Sequence, residues 1–442
     1  MKPDFFDVRL IEGSSMAIVL DNGKVEEISS NHGNGCSVRA LSNGCWGYTR
    51  MEGTCDTEKA IKTASELAKD ISAESNNEPF SLVPIEEPEK TNLPAVKIDP
   101  RDIPVEEKVD FLKELDSRAR CEGVNSTSAI YSESTVDVHY TSSEGLDCEY
   151  SMTKVGFAIT AVASREGLFQ AGRESKFGVG GFELFKGDMP LEMAEHAGKT
   201  AVELLDASPA KGGRFPVILD PELAGVFAHE AVGHASEADL VLEGSSILEG
   251  KIGEKIGSDK ITIIDDPTLH EFGYYPFDAE GVQSHKTTIV EEGVLKSYLH
   301  SRETASKLGG NPGNCRAQGS SSPVVRMSNT YIDNGDSNLD EMLAEIGNGV
   351  YLAGSRGGQV NTGEGVFQFN AEKGYIVENG EIGELLRDVS LSGKTLEILN
   401  NVSMVARDLK MNSGRCGKSG QLIPVSDGSP HLLVSNALVG GA

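Results

Sequence analysis

The chain has 442 residues, of which 38% are apolar and 24% are charged, so it is long enough for two or three globular domains. Acidic residues outnumber basic ones by 68 to 40, and the net charge of -28 disfavours non-specific binding to nucleic acid or to anionic membranes. This acidity indicates either a solvated surface or a local acidic face that attracts basic peptides. The sequence has no recognisable signal peptide and no run of about 20 apolar residues, which predicts a soluble, cytoplasmic protein without a membrane partner.

The N-terminal part is predicted to begin with a β-hairpin and to continue into a helix. Residues 17–25 (A-I-V-L-D-N-G-K-V) place Asn-Gly between β-branched runs, and glycine accepts the positive φ that a tight hairpin turn requires. Residues 56–75 have apolar residues at helical spacing. The predicted stripe is formed by Ile61, Leu67 and Ile71. Residues 76–100 contain five prolines and no periodicity, which predicts an exposed linker.

Two more helices are predicted before the middle of the chain. Residues 104–118 start at a proline and have an apolar stripe formed by Val109, Leu112 and Leu115. Residues 190–205 are alanine-rich, with one side formed by Met193, Ala197, Ala201 and Leu204. The segment 207–214 (A-S-P-A-K-G-G-R) is a second boundary, beyond which the chain becomes rich in glycine and in strand-forming residues.

These boundaries divide the chain into three regions. We predict an N-terminal α/β region over 1–92 and a second α/β region over 93–207, which are either separate or one compound domain. The third region, 208–442, is predicted to be mainly antiparallel β. The predicted fold class is therefore α+β, with the N-terminal α/β part followed by a β-rich C-terminal domain.

The C-terminal domain is predicted to carry the motif F-A-H-E-A-V-G-H-A-S-E (227–237) on a helix. The short strand 215–219 leads into it, and Asp220-Pro221 is typical of a helix start, because Asp can cap the first turn and Pro is tolerated at the first helical position. The motif differs from the H-E-x-x-H pattern of zinc hydrolases by one extra residue between the histidines.

The extra residue has a geometric consequence for the two histidines. In a regular helix, His229 and His234 lie about 140° apart around the axis, because five residues exceed one turn of 3.6. A π-bulge, which adds one residue to the turn, would return both imidazoles to one face. Gly233 is the position where such a distortion is least costly. The motif therefore predicts a deformed helix end if the two histidines share a metal ion.

Spacing alone leaves two interpretations of the histidines open. They are either structural residues of a buried helix or two ligands of a metal ion. As ligands they need a third ligand and an open position for water, and Glu230 would then be the general base. The candidates for the third ligand are Glu237, Asp239, His270, His285, His300 and Cys416. Spacing does not choose between them, although the glycines around Cys416 allow its backbone to approach another element closely.

Two further hairpins are predicted in the C-terminal half. Residues 287–299 and 374–382 repeat the first hairpin signal, with Glu-Gly and Asn-Gly between β-branched runs.

The seven cysteines are at positions 36, 45, 55, 121, 148, 315 and 416. Their odd number and irregular spacing, without a C-x-x-C pair, argue against a disulfide framework and against a structural zinc knuckle.

Seven motifs occur in one order along the C-terminal half. They are H-E-A-V-G-H-A-S-E-A-D (229–239), I-I-D-D-P-T (263–268), F-D-A-E-G (277–281), R-M-S-N-T-Y (326–331), G-G-Q-V (357–360), G-R-C-G-K-S-G-Q (414–421) and S-N-A-L-V-G-G (435–441). Together they resemble the TldD/PmbA family of metallopeptidases, specifically the TldD branch that keeps the metal motif. The N-terminal half is similar to the family in layout but carries weaker signatures.

The resemblance implies a zinc-dependent peptidase of the H-E-x-x-x-H…C type, with 208–442 as the metal-binding peptidase domain. Zn²⁺ would be held by His229, His234 and Cys416, and Glu230 would activate a metal-bound water. The resemblance also implies a narrow cleft that takes unfolded or extended peptides by main-chain pairing, and its wall would be formed by Gly357, Gly358, Gln359 and Val360. The implied partner is a TldE/PmbA-like relative of the same fold without the metal motif, in a heterodimer, or a second copy in a homodimer.

Three further residues are candidates for orienting the metal ligands, and a second function is open. The candidates for orienting the site are Glu237, Asp239 and Asn329. The alternative function is a non-catalytic, peptide-binding assembly subunit with a structural metal ion. Glu230 discriminates between the two functions, because a purely structural site has no use for a carboxylate base beside its ligand.

Overall fold

The computed structural model describes residues 2–75, 77–91 and 93–441, and its fold belongs to the predicted α+β class. The N-terminal strands are β1 (Phe5–Asp21), β2 (Lys24–Ser42), β3 (Cys45–Glu52), β4 (Val124–Ser142), β5 (Asp147–Arg165) and β6 (Leu168–Val179). The helices around them are α1 (Thr57–Glu74), α2 (Val105–Ala119) and α3 (Met189–Glu203), with 3-10 turns at Pro100–Asp102 and Phe182–Phe185. Among these described elements, every strand pair is antiparallel, in the order β3-β2-β1-β4-β5-β6.

One sheet therefore joins the two N-terminal regions. Strand β1 pairs with β4 along 15 residues, from Asp7 with Ser142 to Asp21 with Ser128. The sheet crosses the predicted boundary at 92/93. The division of the chain at 92/93 and 207/208 stays a prediction. Residues 76 and 92 of the predicted linker lie outside the described residues, and the described part of 77–99 contains no helix or strand.

Helix α1 forms as expected, but its predicted apolar stripe is wrong for Leu67 and Ile71, whereas Ile61 packs against the core. The Asp56 side chain caps it by accepting a hydrogen bond from the Lys59 amide at 3.0 Å. Leu67 and Ile71 are 41% and 48% exposed, and the buried face is formed by Ala60, Ala64, Ser65 and Ala68. A Cβ atom on Gly47 of β3 would collide with the carbonyl oxygen of Ala64. The helix lies so close to the sheet that only small side chains fit between them.

The other two predicted helices have the expected buried faces. In α2 the side chains of Val109, Leu112 and Leu115 are buried, and in α3 those of Ala197 and Ala201 are buried. These two helices pack on the sheet around an aromatic cluster of Phe111, Phe157, Phe182 and Phe185.

One disulfide bond is present, although no disulfide framework is predicted and none is found among the described residues. Cys36 and Cys55 are bonded, and the other five cysteines described by the structure are free. Cys36 lies in β2 opposite Met51 of β3, so the β2–β3 hairpin returns the chain past Cys36 just before Cys55. This proximity arises from strand register, which the spacing of the cysteines along the chain does not reveal.

The described part of the C-terminal half contains sixteen strands, five α-helices and the deformed helix end described below. Its strands are β7 (Ser208–Pro209), β8 (Gly213–Leu219), β9 (Ile263–Asp265), β10 (Thr287–Glu291), β11 (Val294–Leu295), β12 (Cys315–Arg316), β13 (Val324–Val325), β14 (Asn329–Ile332), β15 (Gly349–Asn361), β16 (Val366–Glu378), β17 (Glu381–Arg387), β18 (Val389–Lys394), β19 (Val402–Val405), β20 (Lys410–Lys418), β21 (Gln421–Ser429) and β22 (Leu432–Gly441). Its helices are α4 (Pro221–Phe227), α5 (Ala238–Leu242), α6 (Arg302–Leu308), α7 (Leu339–Ile346) and α8 (Thr395–Asn401).

Two larger sheets organise this half. In one, the order β15-β8-β22-β18-β16 closes on itself because β16 also pairs with β15, and β17, β7 and β19 are attached to this ring. The other has the order β11-β10-β9-β14-β21-β20, and β12 pairs with β13 separately. Most of the pairs are antiparallel, as predicted. Helix α4 lies between the two sheets and contacts both β15 and β21.

The three predicted hairpins are confirmed. Each tight turn has two residues with positive φ, at Asn22-Gly23, Glu292-Gly293 and Asn379-Gly380. Two successive positive φ values are typical of the type I′ turn, whose twist matches that of the flanking strands.

In the described residues, no helix is both long and apolar enough to span a membrane.

Candidate metal centre

The helix that carries the motif starts as the sequence predicts. Strand β8 ends at Leu219, and Asp220 caps α4 by accepting a hydrogen bond from the Leu223 amide at 2.9 Å. Its second carboxylate oxygen accepts the amide of Gly354 at 3.0 Å, which attaches the start of α4 to β15. Leu223 and Phe227 are fully buried. The start and the direction of the helix are therefore fixed before the motif begins.

The predicted π-bulge is present. Residues Ala228–Gly233 form a π-helical turn, and the backbone amide of His234 donates to the carbonyl of His229, five residues earlier. The two imidazole rings lie on the same side with their centroids 5.3 Å apart. A 3-10 turn over His234–Ser236 then ends the helix.

Gly233 is required at the bulge by a close contact. A Cβ atom at this position would collide with the sulfur of Met327, which is itself fully buried. Met327 lies two residues before the strand β14 of the second sheet. The widened turn therefore lies closely against this sheet, and glycine is the residue that permits the approach.

Cys416 joins the two histidines from the opposite side. It lies on β20, paired with Ile423 of β21, and its sulfur is 3.2 Å from Nε2 of His234. One donor atom each of His229, His234 and Cys416 lies within 4.8 Å of the others. Among the described residues, this trio is the only such group of three or more His, Cys, Asp or Glu donors.

The electrostatics of the trio are those of a thiolate between two imidazoles. Burial disfavours ionisation of Cys416, but His229 and His234 outweigh it and lower the pKa of the thiol to about 4. Burial likewise acts to lower the pKa of His234, but Glu237 and Cys416 raise it well above its ordinary value. The pKa of His229 is also raised, against the effect of burial, mainly by the Cys416 sulfur.

This donor set fits a metal ion. A thiolate and two imidazole nitrogens are the ligands that Zn²⁺ prefers, and they meet inside the protein. The Nδ1 atom of His229 is buried without a hydrogen-bond partner among the described residues. Buried polar atoms without a partner are rare in folded proteins, so an unpaired imidazole nitrogen at this place indicates a ligand.

Glu230 lies at the edge of the trio. Its Oε2 atom is 3.8 Å from Nε2 of His234, and its side chain is 30% exposed. It is therefore close to the donors and still accessible from solvent. A group in this position can exchange a proton with a molecule that enters the site.

A buried ionic network fixes His234 from behind. Nδ1 of His234 lies 3.1 Å from Oε2 of Glu237, which also receives a hydrogen bond from Nζ of Lys418 at 3.1 Å. Lys418 bonds Asp239 at 2.8 Å as well. Arg326 is fully buried beside Glu237, at 3.9 Å, and donates to the carbonyl of Cys416 at 2.5 Å. Glu237 thus contacts His234 directly, and Asp239 contacts the network through Lys418, while an orienting role for both stays a prediction.

Several functional candidates were not predicted from the sequence. Lys418 lies two residues beyond Cys416 on the same strand, and the strand alternation that puts both on one face was available as a signal. Two acidic side chains with raised pKa values were also missed. Glu222 lies two helical turns before His229, and burial, followed by neighbouring carboxylates, raises its pKa to about 8. Asp427 of β21 has its pKa raised to about 6 by burial, and it interacts with His229.

The structure does not bring the remaining candidates to the trio. The ring of His270 packs against Tyr274 at 4.8 Å, and His285 lies against Gly313. His300 is buried beside Thr304, and burial lowers its pKa to about 4. The side chain of Asn329 bonds the backbone of the 266–273 segment at both its amide and its carbonyl ends.

The segment G-G-Q-V lies on a free strand edge. Strand β15 pairs with β8 only from Val350 to Leu352, while its other edge pairs with β16 along its length. Residues 356–359 are exposed, and a bulge with positive φ at Gly357 interrupts the strand between Ser355 and Gly358. Among the described strands, none covers the edge of β15 beyond Leu352. An exposed edge of this kind can accept an added strand.

The chain is similar to a family of metallopeptidases along most of its length. Residues 6–70, 98–205 and 212–441 match the PmbA/TldA metallopeptidase domain 1, central domain and C-terminal domain, respectively. The chain is 45% identical over 444 residues to a "Metalloprotease" of Archaeoglobus fulgidus, covering 99% of this chain and 100% of that protein. It is 41% identical over 247 residues to the "Zinc metalloprotease TldD homolog" of Saccharolobus solfataricus, covering 55% of each.

A solved structure shows the same fold. The crystal structure of TldE from Thermococcus kodakarensis superposes with a TM-score of 0.77 over 99% of this chain and 97% of that chain, at 20% sequence identity.

Zinc binding should release protons and weaken in acid. In the metal-free protein the raised pKa values of His229 and His234 mean that their imidazoles hold protons, which must leave before a metal ion binds. Below these pKa values the apparent affinity for Zn²⁺ should fall by about tenfold per pH unit for each proton released. Titration calorimetry near neutral pH, in buffers of different ionisation enthalpy, should count about one to two protons per ion. A count of zero, or an affinity unchanged by acidification, would contradict the assignment.

Proposed function

The chain belongs to the PmbA/TldD family of metallopeptidases, and from this premise we propose that it is a zinc-dependent peptidase acting on unfolded or extended peptides. The observation that carries the proposal is the convergence of His229, His234 and Cys416 on one point, with Glu230 at its accessible edge. We further propose that these three residues are the metal ligands and that Glu230 is the general base.

The number of donors favours a catalytic metal over a structural one. Structural zinc sites are closed by four protein ligands, whereas catalytic sites have three and keep a position open. The described residues supply three donors. The alternative, a peptide-binding assembly subunit with a structural metal, leaves the accessible carboxylate of Glu230 without a role.

The protein's own groups divide the work of hydrolysis. Bound zinc would supply a Lewis acid that lowers the pKa of water and polarises the peptide carbonyl. Glu230 would take the proton of the attacking water and pass it to the leaving amine. Glu237 would hold Nδ1 of His234, so that Nε2 of the same ring faces the Cys416 sulfur. Lys418 and Arg326 would keep the buried carboxylate of Glu237 ionised and in place.

We propose that the substrate binds along the free edge of β15, at Gly357, Gly358, Gln359 and Val360. Two glycines without side chains leave the backbone of this edge open to a partner strand. Main-chain pairing requires an extended peptide whose own amides are free, so a folded protein would not fit. The recognition would be largely independent of side chains.

The proposed partner is a chain of the same fold. The similarity to TldE shows the same fold in another protein, and we propose such a TldE/PmbA-like relative without the metal motif as the partner. A homodimer is the other form of the proposal. Size measurement of the chain alone, and of the chain mixed with such a relative, distinguishes the two.

Glu230→Gln should abolish cleavage without releasing zinc. Glutamine keeps the shape of the side chain but cannot accept a proton, so kcat/KM for an unfolded peptide should fall about 100- to 10,000-fold. Zinc content by atomic emission should stay equal to that of the wild type. Glu243→Gln, at an exposed glutamate just after α5, is the matched control and should keep full activity. A Glu230→Gln protein that retains zinc and cleaves as fast as the wild type would leave only the assembly-subunit alternative.

N-methylation of the substrate backbone should weaken its binding position by position. If the peptide pairs with β15, every second amide faces the strand edge, and methylating one such amide removes a hydrogen bond and adds a clash. We expect KM to rise about tenfold at alternating positions and to change little at the positions between them. A peptide series with one N-methyl group each measures this pattern. A uniform response along the peptide would contradict strand pairing.

A further inference from the structure

A cavity of about 530 Å³ lies between the N-terminal sheet and the C-terminal half, apart from the metal centre. Its walls come from β1, β4 and β5, from the segment 272–279 and from the β20–β21 hairpin. Its described lining includes neither Glu230 nor the three donors of the trio. The volume is typical of a site for a small organic molecule.

Four cations line this cavity without an anionic partner. They are Arg9, Lys154, Arg316 and Arg415. Within the described residues, none of them forms an ion pair with a carboxylate. Arg9, Lys154 and Arg316 donate to backbone carbonyls instead, for example Lys154 to Phe272 at 2.5 Å and Arg316 to Met327 at 2.6 Å. Arg415 is exposed at the cavity and contacts aromatic rings only.

Other buried cations of this protein are paired with carboxylates. The pairs are Arg39 with Asp7 and Glu280, Lys108 with Glu133, Arg302 with Glu144, and Lys418 with Glu237 and Asp239. The chain has an excess of 28 acidic charges, so carboxylates are not scarce. Among the described residues, Asp7 and Asp265 act electrostatically on Arg9 and Arg316, but no carboxylate lies within ion-pair distance of the four cavity cations. The lack of direct ion pairs is therefore a local property of this place.

The two carboxyl groups that line the cavity are already engaged. Glu133 binds Lys108 at 2.6 Å and accepts the hydroxyl of Tyr131. Asp278 accepts hydrogen bonds from three backbone amides, those of Glu280, Val282 and Cys315. Neither of them neutralises the cations.

The cations also repel one another. Burial is the main reason that the pKa of Lys154 lies well below its ordinary value, and the charges of Arg316 and Arg415 lower it further. An anion placed between these groups would offset their mutual repulsion and part of the cost of burial.

Aromatic rings separate the cations. The Lys154 Nζ atom and the Arg415 guanidinium lie 5.3 and 5.5 Å from the centre of the Phe272 ring, and Arg316 lies 5.0 Å from that of Tyr275. The Phe272 and Tyr275 rings are almost fully buried, so the ring that is open to the cavity is the partly exposed Phe177. A planar group can stack on this ring, while the guanidinium groups suit the oxygens of a phosphate or a carboxylate.

We propose that this cavity binds a planar organic molecule that carries two or more negative charges. Phosphate esters of ring compounds and aromatic polycarboxylates share this chemistry. Burying unpaired cations costs free energy, and an anionic ligand would offset that cost. The inference does not rest on the peptidase activity.

Titration calorimetry of the zinc-loaded chain at low ionic strength tests the proposal with three probes. These are AMP, benzene-1,3,5-tricarboxylate and inorganic phosphate. We expect AMP, the tricarboxylate or both to bind, and the one that binds assigns the source of the charge. Inorganic phosphate should bind at least about tenfold more weakly, because it has no ring to stack. Equal affinity for inorganic phosphate would overturn the assignment of a planar ligand.

Matched variants separate the cavity from other sites. Lys154→Met and Arg415→Gln should each weaken binding by about tenfold or more, and Arg407→Gln should not, since Arg407 is exposed and does not line the cavity. The side chain of Arg415 makes no hydrogen bond within the described structure, so the Arg415→Gln variant should fold normally. Its melting temperature checks this. The metal-free chain should bind with unchanged affinity. Binding that disappears with the metal, or that both cavity variants retain, would overturn the proposal, as would the absence of binding by the two ring compounds.

Discussion

The extra residue between His229 and His234 is the constraint on which the candidate metal centre depends. A regular helix would direct the two imidazoles apart, and only the widened turn over Ala228–Gly233 brings them to one side. The widening is held at both ends. Asp220 attaches the start of the helix to β15, and Gly233 lets the turn lie closely against Met327. Short strands and loops of this half are arranged around this one deformed element.

The same β20 strand serves two sites. Successive residues of a strand face opposite sides, so Cys416 faces the histidines while Arg415 lines the cationic cavity. Lys418 is on the Cys416 side and closes the ionic network behind His234. The charge distribution differs between the two sides. Carboxylates surround the histidines, whereas the cations of the cavity form no ion pair with any described carboxylate. The net charge of the chain indicates neither arrangement.

Local features of the fold could be predicted from the sequence, and long-range contacts could not. Turn chemistry at Asn-Gly and Glu-Gly defined the hairpins, and simple helical geometry defined the bulge near Gly233. Cys416 followed only from family resemblance, because spacing left six candidates for a third donor. The stripe of α1 was wrong because Gly47 brings the helix too close for Leu67. The Cys36–Cys55 bond depends on strand register, which a single sequence does not display. Strand alternation places Lys418 on the face of Cys416, but its carboxylate partners Glu237 and Asp239 lie on a distant segment of the chain.

X-ray absorption spectroscopy at the zinc edge of the zinc-loaded chain tests directly whether His229, His234 and Cys416 hold the metal. We expect one sulfur at about 2.3 Å and two imidazole nitrogens at about 2.0–2.1 Å from the metal. The sulfur contribution should disappear in Cys416→Ser, and one imidazole should disappear in His234→Gln. A spectrum without sulfur, or one that Cys416→Ser leaves unchanged, would contradict the assignment of the centre.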